Sequence, residues 1–146
     1  MLEGVKSDHA VEVVWDGDRR YRGGVPGGTA VVVDGERKVG PSPVDTVLIA
    51  LGSCSAIDVV DYLEKRRAPA SAVSVQFEFS RAPSPPRRLT EIRAHFRVTT
   101  AAERHHVERA IELSFEKYCS VSASLAPDTD LSWTLELTAA DAEGGG

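Results

Sequence analysis

Two cysteines are the residues of this sequence best suited to chemistry. The chain has 146 residues, and Cys54 and Cys119 are its only cysteines. Small side chains surround Cys54 in the stretch 52–56, and Cys119 is followed by Ser120 and Ser122. Small neighbours let a small molecule reach a sulfur, but they also permit tight helix packing, and a buried free cysteine commonly acts as a small apolar side chain. The pair predicts either one redox-active thiol centre or two packing residues.

A reactive thiol needs positive charge nearby, because the thiolate is the nucleophile and an ordinary thiol has a pKa of about 8.5. Cys54 lies about eleven residues inside its predicted helix, where the helix dipole contributes little. The available cations are the cluster Arg19, Arg20 and Arg22, for which a solvated turn is the competing interpretation. The sequence therefore leaves open which cation activates the sulfur.

Three aspartates lie on the same predicted helix as Cys54. Asp58 and Asp61 follow it on its own side, where they would suppress the thiolate if they pointed at the sulfur, so we expect pairing with Lys65 or exposure to solvent. Asp45 precedes Cys54 by nine residues, which in a straight helix is ~13.5 Å away on the opposite face. Asp45 is therefore predicted to cap the helix, or to reach a site through a bent helix or a second subunit.

The elements that position these residues follow an α+β order. Ser42, Pro43 and Asp45 together predict a helix start, since serine caps helices and proline favours the first helical position. The patterns predict strands around 11–15, 30–33, 73–79, 92–98 and 131–137, and helices over about 44–67 and 101–118. The first half of the long helix, 47–51, is apolar on nearly every side and is expected to be buried all round. We predict one domain over 1–146, with an ordered core over about 10–138, a frayed start at 1–9 and a disordered tail at 139–146.

Composition and charge exclude several classes of function. The chain carries 17 Lys and Arg against 22 Asp and Glu, a net charge of -5, which disfavours nucleic acid and anionic membrane as partners. The four histidines show no ligand spacing with either cysteine, so neither a metal nor a cofactor is predicted. The N-terminal residues lack the basic and apolar regions of a signal peptide, and the apolar run 47–51 is too short to span a bilayer, so we expect a cytoplasmic protein.

Two segments together resemble the OsmC/Ohr family of osmotically inducible and organic hydroperoxide resistance proteins. They are PSPVDTVLIALGSCSAIDVV at 41–60 and EKYCSVS at 116–122. Their residues are most similar to those of an OsmC-like branch without an assigned substrate. The resemblance implies an intertwined homodimer with its long helices packed centrally and two sites at the interface. A second subunit would cover the helix that is apolar on every side.

The resemblance also implies a thiol-dependent reduction of organic hydroperoxides, with a dithiol as reductant. Carried onto this chain, Cys54 is the peroxidatic cysteine and Cys119 the resolving one, with Asp45 as the orienting acid and Arg22 or Arg20 as the arginine. The alternative is a non-enzymatic dimer that binds or senses a small apolar or reactive molecule at the subunit interface. Two positions depart from the peroxidases, since Val44 stands where they have glutamate and Ser120 where proline is common.

Overall fold

The structure, a computed structural model, describes residues 9–140, and these form an α+β arrangement as the sequence predicts. The chain divides into two compact units that meet in sequence between Val47 and Leu48. The elements are β1 (Glu12–Trp15), β2 (Arg20–Gly24), β3 (Val31–Asp34), α1 (Pro43–Lys65), β4 (Ala70–Arg81), β5 (Leu89–Thr100), α2 (Arg104–Leu113), a π turn (Ser114–Tyr118), α3 (Ser120–Ala123) and β6 (Asp130–Ala139). Residues 1–8 and 141–146, where fraying and a disordered tail were predicted, lie outside the described residues, while Ala139 still belongs to β6.

The first unit holds a three-stranded antiparallel sheet in the order β1-β2-β3. Its apolar side chains face outward: Val13 is 67% exposed and Trp15 is 66% exposed. Among the described residues 9–47, the one fully buried side chain is the carboxylate of Asp34. This sheet therefore has no apolar core within those residues, although its strands have the composition of a half-buried sheet.

Helix α1 begins where the sequence predicts. The hydroxyl of Ser42 accepts the Asp45 amide at 3.1 Å, and the Asp45 carboxylate accepts the Ser42 amide at 2.9 Å, so the two residues cap the helix reciprocally. Inside the helix Leu48 and Leu51 are buried, but Ile49 is 55% exposed, so the predicted burial on all sides is not met within a single chain. By length and composition alone α1 is apolar enough to cross a membrane, and 28% of its apolar 18-residue stretch is buried.

The second unit contains the apolar core. Strands β4 and β5 pair antiparallel, whereas β5 and β6 pair parallel, so the chain between them must cross over. The alternating residues of β5 that face this core are Ile92, Ala94, Phe96 and Val98. Val59 and Leu63 of α1 and Val107, Ala110 and Ile111 of α2 pack in the same core.

The crossover differs from the single helix predicted over 101–118. Helix α2 ends at Leu113 and the chain continues as the π turn, which has one wider helical turn and ends at Tyr118. Cys119 then takes an extended conformation, with φ -74° and ψ 105°, before the short helix α3. This break in the helix determines where the second cysteine points.

Candidate thiol site

Cys54 lies half-buried in the middle of α1, on the part of the helix that passes close to strand β4. Gly52 sits at this close approach, because a Cβ added there would lie 2.9 Å from the ring of Phe77. The small residues around Cys54 therefore have a packing role, which is one of the two interpretations that the sequence left open. They bring the sulfur-bearing turn of α1 against the sheet.

Cys119 lies at the junction of the π turn and α3. Its amide donates to the carbonyl of Ser114 at 2.7 Å, and this bond closes the π turn. Its sulfur accepts the amide of Ser122 at 3.3 Å, so the side chain also caps α3. With 3% of its surface exposed, Cys119 is held by the backbone on both sides.

The two sulfurs belong to one apolar cluster, which also contains Leu48, Leu51 and Ile92. Both cysteines are free. Burial raises the pKa of the Cys119 thiol above its ordinary value, and the adjacent Cys54 side chain acts in the same direction, against the amide of Ser122. The structure therefore brings together the two cysteines that the sequence singled out.

Asp58 differs from its sequence prediction. Its carboxylate accepts a hydrogen bond of 2.7 Å from the hydroxyl of Ser114, which is completely buried, instead of pairing with Lys65. Asp61, three residues later, is exposed as expected. The Asp58–Ser114 bond ties α1 to the first residue of the π turn.

Asp45 lies in the first unit at the start of α1, where its partner is Arg37. The Arg37 Nε donates to Asp45 at 2.7 Å and a second guanidinium nitrogen contacts the other carboxylate oxygen, forming a bidentate pair. The guanidinium holds the pKa of Asp45 well below its ordinary value, against the opposing effect of burial. Arg22 pairs with Asp16 at 3.3 Å, and Arg20 lies 3.5 Å from Asp18.

Sequence reasoning missed Arg37. It lies in the turn that joins β3 to α1, where the carboxylate of Asp34 accepts the amides of Glu36, Lys38 and Val39 at 2.9–3.1 Å. A buried aspartate that gathers three amides fixes the conformation of a turn, and Arg37 itself has a φ of +57°. The available signal was an arginine shortly before a helix whose first turn carries an acid. The cap predicted at Asp45 is confirmed, whereas the orienting role implied for Asp45 and the role implied for Arg22 or Arg20 stay predictions.

A metal site finds no support among the described residues, since residues 9–140 contain no group of three His, Cys, Asp or Glu side chains able to hold an ion. The arrangement in the second unit is instead a pair of reduced thiols in an apolar setting. Two adjacent thiols can interconvert with a disulfide, which is a two-electron change.

Comparison with known proteins gives the same family from sequence and from structure. Residues 34–134 match the family model described as OsmC-like protein. Protein YhfA of Escherichia coli K12 is 37% identical over 130 residues, covering 88% of this chain and 97% of its own. A hypothetical protein from Aquifex aeolicus VF5 has a similar structure, with a TM-score of 0.82 at 26% identity over 93% of this chain and all of that one.

The organic hydroperoxide resistance protein OhrB of Bacillus subtilis shares the fold, with a TM-score of 0.60 at 14% identity over 89% of this chain and 98% of that one. The family match covers the capped start of α1, both cysteines and most of the β4-β5-β6 sheet. This chain belongs to the OsmC-like family.

Proposed function

We propose that this protein reduces organic hydroperoxides, with Cys54 as the attacking thiol and Cys119 as the resolving thiol. The observation that carries the proposal is the meeting of the two free cysteines in one apolar cluster. Packing alone explains one buried cysteine well, but it does not explain why the second sulfur, on a different element, lies beside the first. The fold shared with OhrB, whose name describes organic hydroperoxide resistance, supports the same function.

The proposed chemistry proceeds in three balanced steps. The Cys54 thiolate attacks one peroxide oxygen, the O–O bond breaks, and an alcohol leaves with a proton while Cys54 becomes a sulfenic acid. The Cys119 thiol then attacks that sulfur, forming the disulfide and releasing the hydroxyl as water with the thiol proton. A dithiol reductant returns both cysteines to thiols and is itself oxidised to a disulfide.

The difference between the two cysteines supports this assignment of roles. Cys119 is almost fully buried and its thiol pKa is raised by that burial, so it is the poorer first nucleophile. Cys54 is half-buried and lies on a rigid helix beside small residues, which lets a small molecule approach its sulfur.

An apolar groove on the part of α1 that carries Cys54, lined by its neighbour Ser53 but not by Cys54 itself, favours an organic peroxide as substrate. The groove has a volume of about 360 Å³ and runs between α1 and β4, with Leu48, Gly52, Val75 and Phe77 among its walls. Phe77 also packs against the cluster that contains both cysteines. An alkyl or aryl group in this groove would bury apolar surface that hydrogen peroxide lacks.

The protein is further proposed to act as a cytoplasmic homodimer. Apolar side chains on β1 and β3 and on α1, including Val13, Trp15, Val31 and Ile49, are exposed in the single chain. Several exposed large apolar side chains commonly mark a protein interface. A second copy that covers α1 would also account for an apolar helix of which so little is buried.

Hydroperoxide consumption by three forms of the protein tests the proposal. Cumene hydroperoxide and a dithiol are supplied to the parent, to Cys54→Ser and to Cys119→Ser, and the mass of the protein in solution is measured in the same preparations. We expect a dimeric parent that turns over and a Cys54→Ser protein at the rate of the buffer blank. When the dithiol is omitted, we expect a Cys119→Ser protein that accumulates sulfenic acid at Cys54. A Cys54→Ser protein that matched the parent would contradict the proposal and favour the binding or sensing role.

A further inference from the structure

The carboxylate of Asp58 has an unusual environment for an acid beside a thiol. It lies one helical turn after Cys54 and its partner is a neutral group, the buried hydroxyl of Ser114, at 2.7 Å. None of the ion pairs formed among residues 9–140 includes Asp58. The carboxylate also borders a cleft of about 490 Å³, which keeps part of it accessible to water. A half-buried carboxylate that forms no ion pair depends on its hydrogen bond, because leaving it unsatisfied would cost free energy of folding.

Ser114 connects this carboxylate to the second cysteine. Its hydroxyl donates to Asp58, and its carbonyl accepts the Cys119 amide at 2.7 Å. Ser114 is also the first residue of the π turn, a form that is rare and frequently found at functional sites. Two hydrogen bonds therefore run from α1, which carries Cys54, to the backbone of Cys119.

We propose that Asp58 and Ser114 are positioning residues that hold Cys119 against Cys54 for disulfide formation. The inference deepens the function proposed above and rests on the same pair of sulfurs. Neither residue touches the reacting atoms: Asp58 holds Ser114, and Ser114 holds the turn. The spacing of Cys54 and Asp58 places the thiol and its positioning acid on one side of α1, so that they orient together.

The proposal has a thermodynamic consequence. The Asp58–Ser114 bond and the Cys54–Cys119 disulfide favour the same arrangement of the π turn, so each must stabilise the other by the same amount. Loss of the bond therefore lowers the equilibrium constant for closing the disulfide. A hydrogen bond to a charged group of this kind corresponds to about a tenfold change or more.

Equilibration with reduced and oxidised dithiothreitol tests this without any peroxide. Two thiols of the protein lose two electrons and two protons, oxidised dithiothreitol gains them, and alkylation with mass spectrometry gives the disulfide fraction. Asp58→Ala and Ser114→Ala are each expected to lower the equilibrium constant for disulfide formation about tenfold. Asp58→Asn keeps an acceptor oxygen and is expected to lower that constant by less. The double variant Asp58→Ala/Ser114→Ala is expected to have an equilibrium constant no smaller than that of the more affected single variant, since both substitutions remove one shared bond.

Asp61→Ala is the matched control, because Asp61 is an exposed acid on the same helix. The inference would be overturned if the equilibrium constants of Asp58→Ala and Ser114→Ala lay within about twofold of that of the parent. It would also be overturned if the two effects added in the double variant, or if Asp61→Ala lowered the equilibrium constant equally. A parent that forms no Cys54–Cys119 disulfide would overturn it as well. If Asp58→Ala does not fold, Ser114→Ala and Asp58→Asn are compared with the parent by the same criteria.

A kinetic measurement separates this inference from the proposed function. After one equivalent of cumene hydroperoxide, the rate of sulfenic acid formation at Cys54 is expected to be the same in Ser114→Ala, which removes the bond but keeps the Asp58 charge, and in the parent. The lifetime of that sulfenic acid, trapped with dimedone, is expected to rise about tenfold. Failure of every form to produce a sulfenic acid contradicts the peroxidase function, whereas the dithiothreitol equilibrium still decides on the positioning pair.

Discussion

The two units of the chain are stabilised in different ways. In the second unit, strand β5 buries alternate apolar residues against α1 and α2, and the cysteines lie within that apolar interior. In the first unit, the turn before α1 is organised by Asp34, Arg37 and Asp45 through amides and an ion pair, while the apolar strands are exposed. The comparison indicates that the first unit depends on backbone geometry and charge, and the second on packing.

The sequence contains two tryptophans, and the two units hold one each, so the comparison can be measured directly. Trp15 lies in β1 and Trp133 in β6. The Trp15→Phe protein keeps Trp133, so its fluorescence reports on the second unit. The Trp133→Phe protein keeps Trp15 and reports on the first unit. The predictions below use this pair of backgrounds.

Gly40→Ala is expected to have the largest effect, and to act on the first unit. A Cβ at this position would lie 2.6 Å from the carbonyl oxygen of Val32, a backbone atom that cannot move aside cheaply. We expect a loss of about 3 kcal/mol in the free energy of unfolding reported by Trp15. The measurement is urea unfolding followed by fluorescence in both tryptophan backgrounds.

Gly23→Ala is the control for that substitution, since its added Cβ would meet its neighbours at an ordinary 3.6 Å. It is expected to change stability by less than about 1 kcal/mol. A Gly40→Ala protein as stable as the Gly23→Ala protein would show that the turn before α1 tolerates a shift of its backbone.

Acid is expected to have an intermediate effect, again on the first unit. The amide of Glu36, followed by those of Val39 and Lys38, holds the pKa of Asp34 below its ordinary value of 3.8, and Arg37 holds the pKa of Asp45 lower still. Because the folded-state pKa values lie below the unfolded ones, the stabilisation is fully present above about pH 5 and is lost as the pH falls through the folded-state values. Stability measured with Trp15 should therefore begin to fall below about pH 5 and should go on falling as the pH approaches the depressed folded-state values.

Asp45→Asn tests the assignment of this acid sensitivity. Without the titrating carboxylate, the free energy of unfolding reported by Trp15 should fall less over the same pH range, although the protein starts less stable. Equal acid sensitivity in the variant and the parent would assign the titration to groups other than Asp45. A Trp133 transition that moved in step with that of Trp15 would contradict the contrast between the units.

Ser55→Ala is expected to have the smallest effect, and to stabilise the second unit. The Ser55 hydroxyl is completely buried and has no hydrogen-bond partner among the described residues, although it follows Cys54 directly. Removing an unsatisfied polar group should raise the free energy of unfolding by about 0.5–1 kcal/mol, measured with Trp133. A loss of stability would indicate that this hydroxyl is satisfied.

Ser53→Ala provides the comparison for that measurement. Ser53 is exposed, and its hydroxyl already donates to the carbonyls of Ile49 and Ala50 on its own helix. Its replacement is expected to change stability by no more than about 0.5 kcal/mol. A difference between the two serine variants would isolate the effect of burial.

Local rules were sufficient to predict most elements. Ser42, Pro43 and Asp45 mark the start of α1 because capping chemistry is confined to adjacent residues. The alternation of Ile92 and Phe96 with polar neighbours predicts β5 for a similar reason, since the pleat of a strand has a period of two. Family resemblance then placed Cys54 and Cys119 in one site, and the structure brings them together.

Long-range contacts were harder to predict. The residues 107–118 follow a helical pattern throughout, so nothing local distinguishes the π turn from a continued α-helix. The bond from Ser114 to Asp58 joins residues on separate elements, so the sequence predicted only pairing with Lys65 or exposure to solvent for that acid. Arg37 was missed because its pairing with Asp45 depends on a turn whose shape is set by the buried Asp34.

The π turn has a consequence for insertions and deletions in this chain. Such a turn holds one residue more than the α-helix would place there, so it is equivalent to a single inserted residue. Deleting one position within 114–118 would replace the wide turn by a regular α-helical turn and would remove the bond that the Cys119 amide makes across five residues to the Ser114 carbonyl. The backbone that holds Cys119 beside Cys54 therefore depends on the number of residues in this turn as well as on the two cysteines.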